Sequence, residues 1–162
     1  MVETSLTIKK LQGNFLTSIV EVKTFREEMN VTVPKEEIFK VCKFLYSDPD
    51  LQYHFLIDLC GVDFFPQAPR FEMIYLLYSM KNNQRLRLKT RVVEAESISS
   101  VESIWKAANW LEREVYDLFG ITFENHPDLR RILLWDGYEG YPLRKDFPVE
   151  GPDFDKPFVP EV

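Results

Sequence analysis

The sequence predicts a two-layer α+β domain over residues 1–126 and an extended, proline-rich C-terminal arm over residues 127–162. Stretches in which apolar and polar residues alternate come between stretches with helical spacing, and six of the ten prolines lie in the arm. The predicted order of elements is α-ββ-α-βββ-α. We expect about five strands in a mixed or antiparallel sheet, with the helices packed on one of its faces.

The first part of the chain contains a helix, two strands and a second helix. The first helix is predicted over residues 5–13, and its inner side carries Leu6, Ile8 and Leu11. Apolar and polar residues alternate over residues 20–23 and 29–33, which indicates two strands. A second helix begins at Pro34, a residue that suits the first helical turn. Its apolar stripe consists of Ile38, Val41, Cys42 and Leu45.

Three further strands follow, and their alternation predicts which side chains share a face. In the first, one face carries Tyr53, Phe55, Ile57 and Leu59. Residues 71–78 are mostly apolar, which is typical of a strand in the interior of a sheet. In the third, an apolar face alternates with a basic one: Leu86, Leu88, Thr90 and Val92 against Arg85, Arg87, Lys89 and Arg91. Asn82 and Asn83 suit the tight turn before it, since Asn tolerates positive φ.

A third helix follows residue 100 and ends at Gly120. Its apolar stripe is spaced by three or four residues: Ile104, Ala108, Leu111, Val115 and Leu118. The arm that comes next cannot form long helices or central strands, because it is rich in proline and glycine. It nevertheless carries many large apolar side chains. We therefore expect it to lie on a surface, either that of its own domain or that of another protein.

Composition disfavours several classes of function. The formal net charge is −6, which argues against general binding to a nucleic-acid backbone. Cys42, Cys60, His54 and His126 are too few for this chain alone to build an iron–sulfur or structural zinc site easily, and they fit a reducing, cytoplasmic location. The longest apolar run, residues 73–78, is far shorter than a membrane-spanning helix, so we expect any membrane contact to be made through a partner.

The densest group of candidate catalytic residues consists of Glu112, Arg113, Glu114, Asp117 and His126. Carboxylates beside a histidine could bind a metal or act as a general acid–base pair. No second histidine stands at metal-ligand spacing, and no serine or cysteine nucleophile is near in the sequence. The favoured interpretation is a structural ion-pair network, in which Arg113 and Asp117 pair at a spacing of four residues and Glu114 and Asp117 are like-charged neighbours.

Two basic pairs in the arm, Arg130-Arg131 and Arg144-Lys145, alternate with acidic residues beside aromatic side chains. That mixture is typical of a contact between proteins rather than of a catalytic cleft. The basic face of residues 85–91 is interpreted in the same way, as a solvated or partner-facing surface rather than a nucleic-acid site. No glycine pattern matches a nucleotide-binding loop.

Residues 112–148 closely resemble the signature of the thirty-kilodalton-class subunit, the C subunit, of the bacterial respiratory NADH:quinone oxidoreductase, or complex I. The signature begins with Glu-Arg-Glu, continues with an acid and two apolar residues, and then has a histidine, an arginine and an apolar pair. The residues that fill it are Glu112, Arg113, Glu114, Asp117, Leu118, Phe119, His126, Arg130, Ile132 and Leu133. The run PLRKDFP at 142–148 extends the match. Tyr138 and Tyr141 depart from the signature, in which tryptophan and histidine are more common.

The resemblance implies a non-catalytic subunit of the peripheral arm, on the cytoplasmic side of the inner membrane, in a proton-translocating complex. Such a subunit binds no cofactor or metal itself, although the complex uses NADH, FMN, iron–sulfur clusters and quinone. It would brace two neighbours, the D-type subunit of the quinone site and the B-type subunit of the terminal iron–sulfur cluster. The alternative is the equivalent subunit of a related membrane-bound dehydrogenase or hydrogenase complex, and a free-standing carboxylate/histidine enzyme is less favoured.

The resemblance also implies which residues form the subunit interface or support it, and it assigns a catalytic role to none. These residues are Glu112, Arg113, Glu114, Asp117, His126, Arg130, Arg131, Trp135, Tyr138, Tyr141, Arg144, Lys145 and Asp146.

Overall fold

The computed structural model describes residues 5–26 and 28–150. Within these ranges there are three α-helices, α1 (Leu6–Phe15), α2 (Ile38–Ser47) and α3 (Ala108–Phe119), and a short 3-10 helix, Lys35–Glu37, that leads into α2. The strands are β1 (Glu21–Phe25), β2 (Glu28–Thr32), β3 (Phe55–Asp63), β4 (Phe71–Ser79), β5 (Gln84–Val92), β6 (Ser97–Ser99) and β7 (Thr122–Glu124).

Five strands form one mixed sheet in the order β1-β2-β5-β4-β3. Neighbouring strands are antiparallel except β2 and β5, which run parallel with Val31 opposite Leu88. The predicted α+β class, with a mixed sheet of five strands, is confirmed. The short parallel pair of β6 and β7 was not predicted, because strands of three residues are too short to show a clear alternation.

The hydrophobic core lies between one face of this sheet and the helices. On β5 the apolar residues are buried, whereas the basic residues between them remain half-exposed or exposed on the other face, as predicted. The whole predicted stripe of α2 is buried against the sheet. Asn83 adopts a φ of 48° in the turn between β4 and β5, and Gly120 ends α3 with a φ of 74°, so both local predictions are confirmed.

The predicted alternation of β3 is wrong. Phe55 and Ile57 are exposed, whereas Leu56 and Leu59 are buried. The register between β3 and β4 shifts just after Leu56, and such a bulge moves the following side chains to the opposite face. Tyr53 lies ahead of the strand and is buried. The four residues predicted to share one face therefore do not share it.

Two helices bury polar residues that the apolar spacing did not identify. α1 buries Thr7 while its neighbour Leu6 is exposed, and the Thr7 hydroxyl lies 2.9 Å from the hydroxyl of Tyr53. α3 begins at Ala108, later than its predicted stripe, and it buries Glu112 and Asp117 along with Ala108, Val115 and Phe119. These two acids are therefore part of the interior of the protein.

The C-terminal segment (residues 127–150) contains neither helix nor strand, and it packs back against α3. The N–H group of Leu143 donates a hydrogen bond of 3.1 Å to the carbonyl oxygen of Leu118. Residues 151–162, the rest of the predicted arm, lie outside the described residues, so the arm and the division of the chain at residue 126 stay predictions. No helix in the described ranges is long and apolar enough to cross a membrane.

Candidate functional site

The carboxylate of Asp117 holds the C-terminal segment by its backbone. Its side chain is fully buried at the end of α3. The Oδ2 atom accepts hydrogen bonds from three consecutive N–H groups, those of Ile132 (2.9 Å), Leu133 (2.7 Å) and Leu134 (2.9 Å). The Oδ1 atom accepts a fourth bond of 2.8 Å from Nη1 of Arg131. A single side chain thus accepts hydrogen bonds from four donors of a segment that has no helix or strand to supply acceptors.

These donors determine the charge state of Asp117. Burial by itself raises the pKa of the carboxyl, but the three backbone N–H groups and Arg131 outweigh burial and hold its pKa below the ordinary value of 3.8. The group is therefore ionised at neutral pH. Because its oxygens are occupied by donors, it is suited to fixing structure rather than to transferring a proton.

Arg131 ties the loop that follows it to α3. Besides the side chain of Asp117, its guanidinium binds the carbonyl oxygens of Asp117, Tyr138 and Gly140, each at 3.1 Å. The guanidinium carbon also lies 5.4 Å from the ring centre of Tyr141, within the range of a cation–π contact. The neighbouring Arg130 is exposed, so the two residues of this basic pair have different roles.

The predicted ion pair between Arg113 and Asp117 is not formed. Arg113 instead donates hydrogen bonds to the carbonyl oxygens of Arg130 (3.1 Å) and Arg131 (3.0 Å). The reason is that Asp117 points into the interior, where Arg131 and the backbone donors occupy it. Glu114 is exposed on the same helix and is therefore not buried beside Asp117.

Glu112 is the second buried acid of α3. Its Oε2 atom accepts a hydrogen bond of 2.6 Å from the hydroxyl of Ser100, and its Oε1 atom accepts one of 2.7 Å from the N–H group of Val101. Burial raises the pKa of Glu112 to about 7, although these two hydrogen bonds act in the opposite direction. Nε2 of His126 lies 4.0 Å from the Oε2 atom of Glu112.

Both ring nitrogens of His126 have partners in the backbone. Nδ1 accepts a hydrogen bond of 3.1 Å from the N–H group of Asp128, which assigns the proton to Nε2. Nε2 lies 3.1 Å from the carbonyl oxygen of Asn109, to which it donates. The buried imidazole thereby joins the start of α3 to the start of the C-terminal segment. A metal ion or a substrate could use either nitrogen only if one of these bonds broke.

A cluster around Arg70 holds the other end of the C-terminal segment. The buried guanidinium of Arg70 binds Asp63 through two hydrogen bonds of 3.0 and 2.9 Å, and it binds Asp146 through two of 3.0 and 2.5 Å. Asp63 also accepts a hydrogen bond of 2.9 Å from the N–H group of Lys145. Although burial acts the other way, these donors lower the pKa of Asp63 to about 2.

Arg144 and Tyr141 close the segment over the end of α3. Arg144 donates a hydrogen bond of 2.6 Å to the carbonyl oxygen of Phe119 and one of 2.8 Å to the side chain of Glu94. A Cβ atom on Gly120 would lie only 2.5 Å from Cζ of Tyr141, so the tyrosine ring rests on the glycine. The ring expected by the signature at 141 is therefore replaced by another aromatic ring that packs on Gly120.

Several large apolar side chains of the anchored segment remain exposed. Leu133 is 62% exposed and Trp135 is 58% exposed, and Ile132 and Leu143 are also exposed. The rings of Trp135 and Tyr138 meet edge to face with centres 4.7 Å apart. Asp117 and Arg131 fix the backbone of this segment through hydrogen bonds. Its exposed apolar side chains therefore extend into solvent from an ordered backbone.

Of the residues predicted for the site, most are brought together by the structure, and four contributors were missed. The missed residues are Asp63, Arg70, Glu94 and Ser100. Asp63 and Arg70 flank the loop between β3 and β4, and a pair of opposite charges at the two ends of a short loop is a signal that could have identified them. Glu94 and Ser100 give no local signal, because their partners are distant in the sequence.

Over residues 5–26 and 28–150, no group of three or more His, Cys, Asp or Glu side chains is arranged to hold a metal ion. Cys42 is buried in the core, and burial raises the pKa of its thiol. The buried acids instead hold hydrogen-bond donors of the backbone and of arginines. The fold and the site therefore define a class of protein: an α+β domain whose interior acids anchor an irregular C-terminal segment with exposed apolar side chains.

The comparison with known proteins identifies the family within that class. Residues 31–153 match the family described as the 30 Kd subunit of respiratory-chain NADH dehydrogenase. Over 154 residues the chain is 51% identical to the C subunit of the NADH-quinone oxidoreductase of Geobacter metallireducens, with 94% of each chain covered. It is 50% identical to the C subunit of Geotalea uraniireducens, over 94% of this chain and 93% of that one. The chain therefore belongs to the family of NADH-quinone oxidoreductase C subunits.

Two solved structures share the fold. A trypsin-resistant fragment (1–134) of Nqo5 is 31% identical and superposes with a TM-score of 0.65, over 76% of this chain and all of the fragment. A chain of the membrane-bound sulfane sulfur reductase, an archaeal respiratory membrane complex, is 25% identical with a TM-score of 0.74, over 88% of this chain and 84% of that one. The α+β fold thus also occurs in a chain of an archaeal respiratory membrane complex.

Proposed function

We propose that this chain is a non-catalytic subunit of the peripheral arm of a proton-translocating NADH:quinone oxidoreductase. In this proposal it braces the subunits that carry the terminal iron–sulfur cluster and the quinone site. The observation that carries the proposal is the group of exposed apolar side chains of Ile132, Leu133 and Trp135 on a segment that Asp117 holds in place. Membership of the family of C subunits supports the same complex.

The anchoring of this segment favours tight binding. A loop that must be ordered on binding loses conformational entropy, whereas this segment is already ordered by Asp117 and Arg131. Tryptophan and arginine are enriched among the residues that dominate interface energies, and Trp135 supplies a large exposed ring. The C-terminal arm over residues 127–162 is accordingly the docking element of the chain, and the D-type quinone-site subunit and the B-type terminal-cluster subunit are its partners.

A subunit of this kind affects catalysis by holding the reacting centres of its neighbours at fixed distances, and it takes no part in the reaction itself. Electron transfer and quinone reduction depend on fixed positions, and a displacement of about 1 Å at a reacting centre can lower a rate about a hundredfold. NADH, FMN, the iron–sulfur clusters and quinone are bound by other subunits. The chain lies on the cytoplasmic side of the inner membrane and reaches the membrane only through the complex, and it has no nucleic-acid partner.

The test separates assembly from turnover. Leu133→Ala and Trp135→Ala are introduced together into the full chain, and the complex is purified from membranes. We expect the amount of assembled complex to fall about tenfold, because two interface anchors are lost, while turnover per assembled complex stays normal. Leu16→Ala is the matched control, since Leu16 is an exposed apolar residue that follows α1. Normal assembly with lost turnover would contradict the proposal.

The second candidate is the equivalent subunit of a related membrane-bound complex. It is favoured by the similarity to a chain of the membrane-bound sulfane sulfur reductase, which extends over 88% of this chain. Affinity purification of the native protein from membranes distinguishes the two: co-purification of a flavin-containing NADH-oxidising subunit would support the first complex, and its absence from an otherwise assembled complex would support the second. A free-standing carboxylate/histidine enzyme would instead purify alone, with metal or substrate turnover of its own.

A further inference from the structure

The exposed face of the central sheet forms a groove along β5. Within the described residues, the helices pack on the opposite face, so the side chains of this face meet solvent. Two hollows, of about 260 and 430 Å³, adjoin each other at Arg87, which lines both. We call this pair of hollows the sheet groove; its main walls are Ile57, Leu76, Arg87, Lys89, Arg91 and Phe64.

The sheet groove has the opposite charge to the rest of the chain. Among the residues that the structure describes, five cationic side chains and three acidic ones line it, an excess of two positive charges in a chain of net charge −6. The most exposed of the cations on β5 is Arg85, whose side chain is 69% exposed and lies 3.9 Å from Glu28. Such a local reversal of charge attracts an acidic partner and repels a second copy of the same acidic chain.

Two cations of the groove, Arg87 and Arg91, are already held in position. Arg87 donates a hydrogen bond of 2.9 Å to Glu28. Arg91 lies 3.0 Å from Glu72 through Nε, and its guanidinium carbon lies 3.9 Å from the ring centre of Phe64. A guanidinium bound through one edge retains further N–H donors for a second carboxylate. Little side-chain entropy would therefore be lost when an acidic partner binds.

The groove also adjoins the C-terminal segment. Phe64 begins the loop between β3 and β4, and its N–H group donates a hydrogen bond of 2.8 Å to the carbonyl oxygen of Arg70. Arg70 in turn binds Asp146 of the C-terminal segment. The Phe64 end of the groove is thus connected through Arg70 to the anchored segment that we assign to docking, so one partner could contact both.

From these observations we propose that the sheet groove binds an acidic segment of a neighbouring subunit of the complex, with apolar side chains beside its carboxylates. The apolar side chains fit the end lined by Ile57 and Leu76, and the carboxylates meet the cations of β5. Nucleic acid is a poorer fit, because a continuous run of phosphates would meet a chain of net charge −6 and would leave the apolar side chains of Ile57 and Leu76 without a matching group. This inference rests on the proposed function as a subunit of an oxidoreductase complex.

The first test is photo-crosslinking in the intact complex. p-Benzoylphenylalanine replaces Arg85 in the full chain, the complex is purified from membranes and irradiated, and the crosslinked peptides are identified. We expect a crosslink to another subunit, at a peptide in which Asp or Glu alternates with apolar residues. The same probe at Lys43, which is exposed on α2 in the other layer, should not reach that peptide. No crosslink from position 85, or one only to lipid, to nucleic acid or to residues 151–162 of this chain, would overturn the proposal.

A probe at Trp135 keeps the two proposals distinguishable. If position 135 reacts with a neighbouring subunit and position 85 does not, the groove proposal fails and the proposed function stands. If neither position reacts, both proposals fail.

The second measurement is the retention of the chain in the purified complex at raised KCl. Arg85→Glu should weaken this retention by about fivefold, whereas Lys43→Glu should leave it unchanged. Equal retention of both variants would count against the groove.

Discussion

Asp117 and Arg131 meet at 2.8 Å between Oδ1 and Nη1, and this contact joins the end of α3 to a segment fourteen residues further along the chain. The same carboxylate receives the next three backbone N–H groups of that segment. An acid in the interior and an arginine in an irregular segment thereby replace the regular hydrogen bonds that a helix or strand would have supplied.

Neutralising Asp117 tests how much these hydrogen bonds contribute to the stability of the protein. Asp117→Asn keeps the shape but replaces one acceptor oxygen by an NH₂ group that faces donors. We expect the free energy of unfolding to fall by about 3 kcal/mol, because charge-assisted hydrogen bonds are lost and Arg131 is left without its counter-ion. Denaturant unfolding at pH 7 measures it. Glu114→Gln, an exposed acid on the same helix, should change it by less than about 0.5 kcal/mol, and similar losses in both variants would contradict the role of Asp117.

The adjacent arginines provide a second matched pair. Arg131→Ala removes contacts with Asp117 and with two carbonyl oxygens of the following loop, so we expect faster amide hydrogen exchange at residues 132–134 and a loss of about 2 kcal/mol of stability. Arg130→Ala removes only an exposed side-chain pair with Asp128, and such pairs contribute between about 0 and 1 kcal/mol. Hydrogen exchange followed by NMR or mass spectrometry separates the two. Equal protection of residues 132–134 in both variants would show that Arg131 does not hold the segment.

The sequence patterns succeeded where structure is determined by neighbours along the chain. The alternation on β5 identified both faces correctly, because successive side chains of a strand point to opposite sides. On β3 the same rule failed. A bulge after Leu56 reverses the faces, and Phe55 and Ile57 are themselves apolar, so the hydrophobic pattern contained no sign of the reversal.

The sequence identified part of the group of residues around α3, but not how they pair. Glu112, Asp117 and His126 were identified as one group, and the structure places them at the junction of α3 and the C-terminal segment. The helical spacing rule assigned Arg113 to Asp117, yet Arg113 binds backbone carbonyls. Spacing along a helix describes only local neighbours, whereas a buried acid is paired by whichever donors the tertiary fold brings to it.

Alanine substitutions at Gly120 and Gly13 test how closely the C-terminal segment approaches the end of α3. Gly120→Ala introduces a Cβ 2.5 Å from the ring of Tyr141 at a φ of 74°, so we expect a loss of at least about 2 kcal/mol. Gly13 lies within α1 with no neighbouring atom inside 4 Å of an added Cβ, and Gly13→Ala should stabilise the helix by up to about 1 kcal/mol. Thermal unfolding of both variants measures the contrast. A neutral Gly120→Ala would show that the tyrosine does not rest on this glycine.

Glu112 makes the stability of the protein depend on pH near neutrality. Below pH 4.5, the ordinary pKa of a glutamate, the group is protonated in both the folded and the unfolded chain. Between pH 4.5 and about 7 the folded protein retains a proton that the unfolded chain has released, so stability falls as the pH rises through this window. A shift of this size corresponds to about 3 kcal/mol lost in total above pH 7.

Glu112→Gln isolates this effect. The amide can accept from Val101 and donate to the hydroxyl of Ser100, so it keeps both contacts without a buried charge. The other titratable groups around the site, His126, Glu102, Tyr75 and Cys42, remain in both proteins. We therefore expect the variant to gain stability relative to the natural chain as the pH rises from 5 to 8, when both are unfolded in urea at intervals of pH.

Asp63, whose pKa is lowered to about 2, affects both proteins alike, since the stability it contributes is lost only as the pH falls below 3.8. If the difference in the free energy of unfolding between the two proteins stays constant from pH 5 to 8, the pKa of Glu112 is not raised.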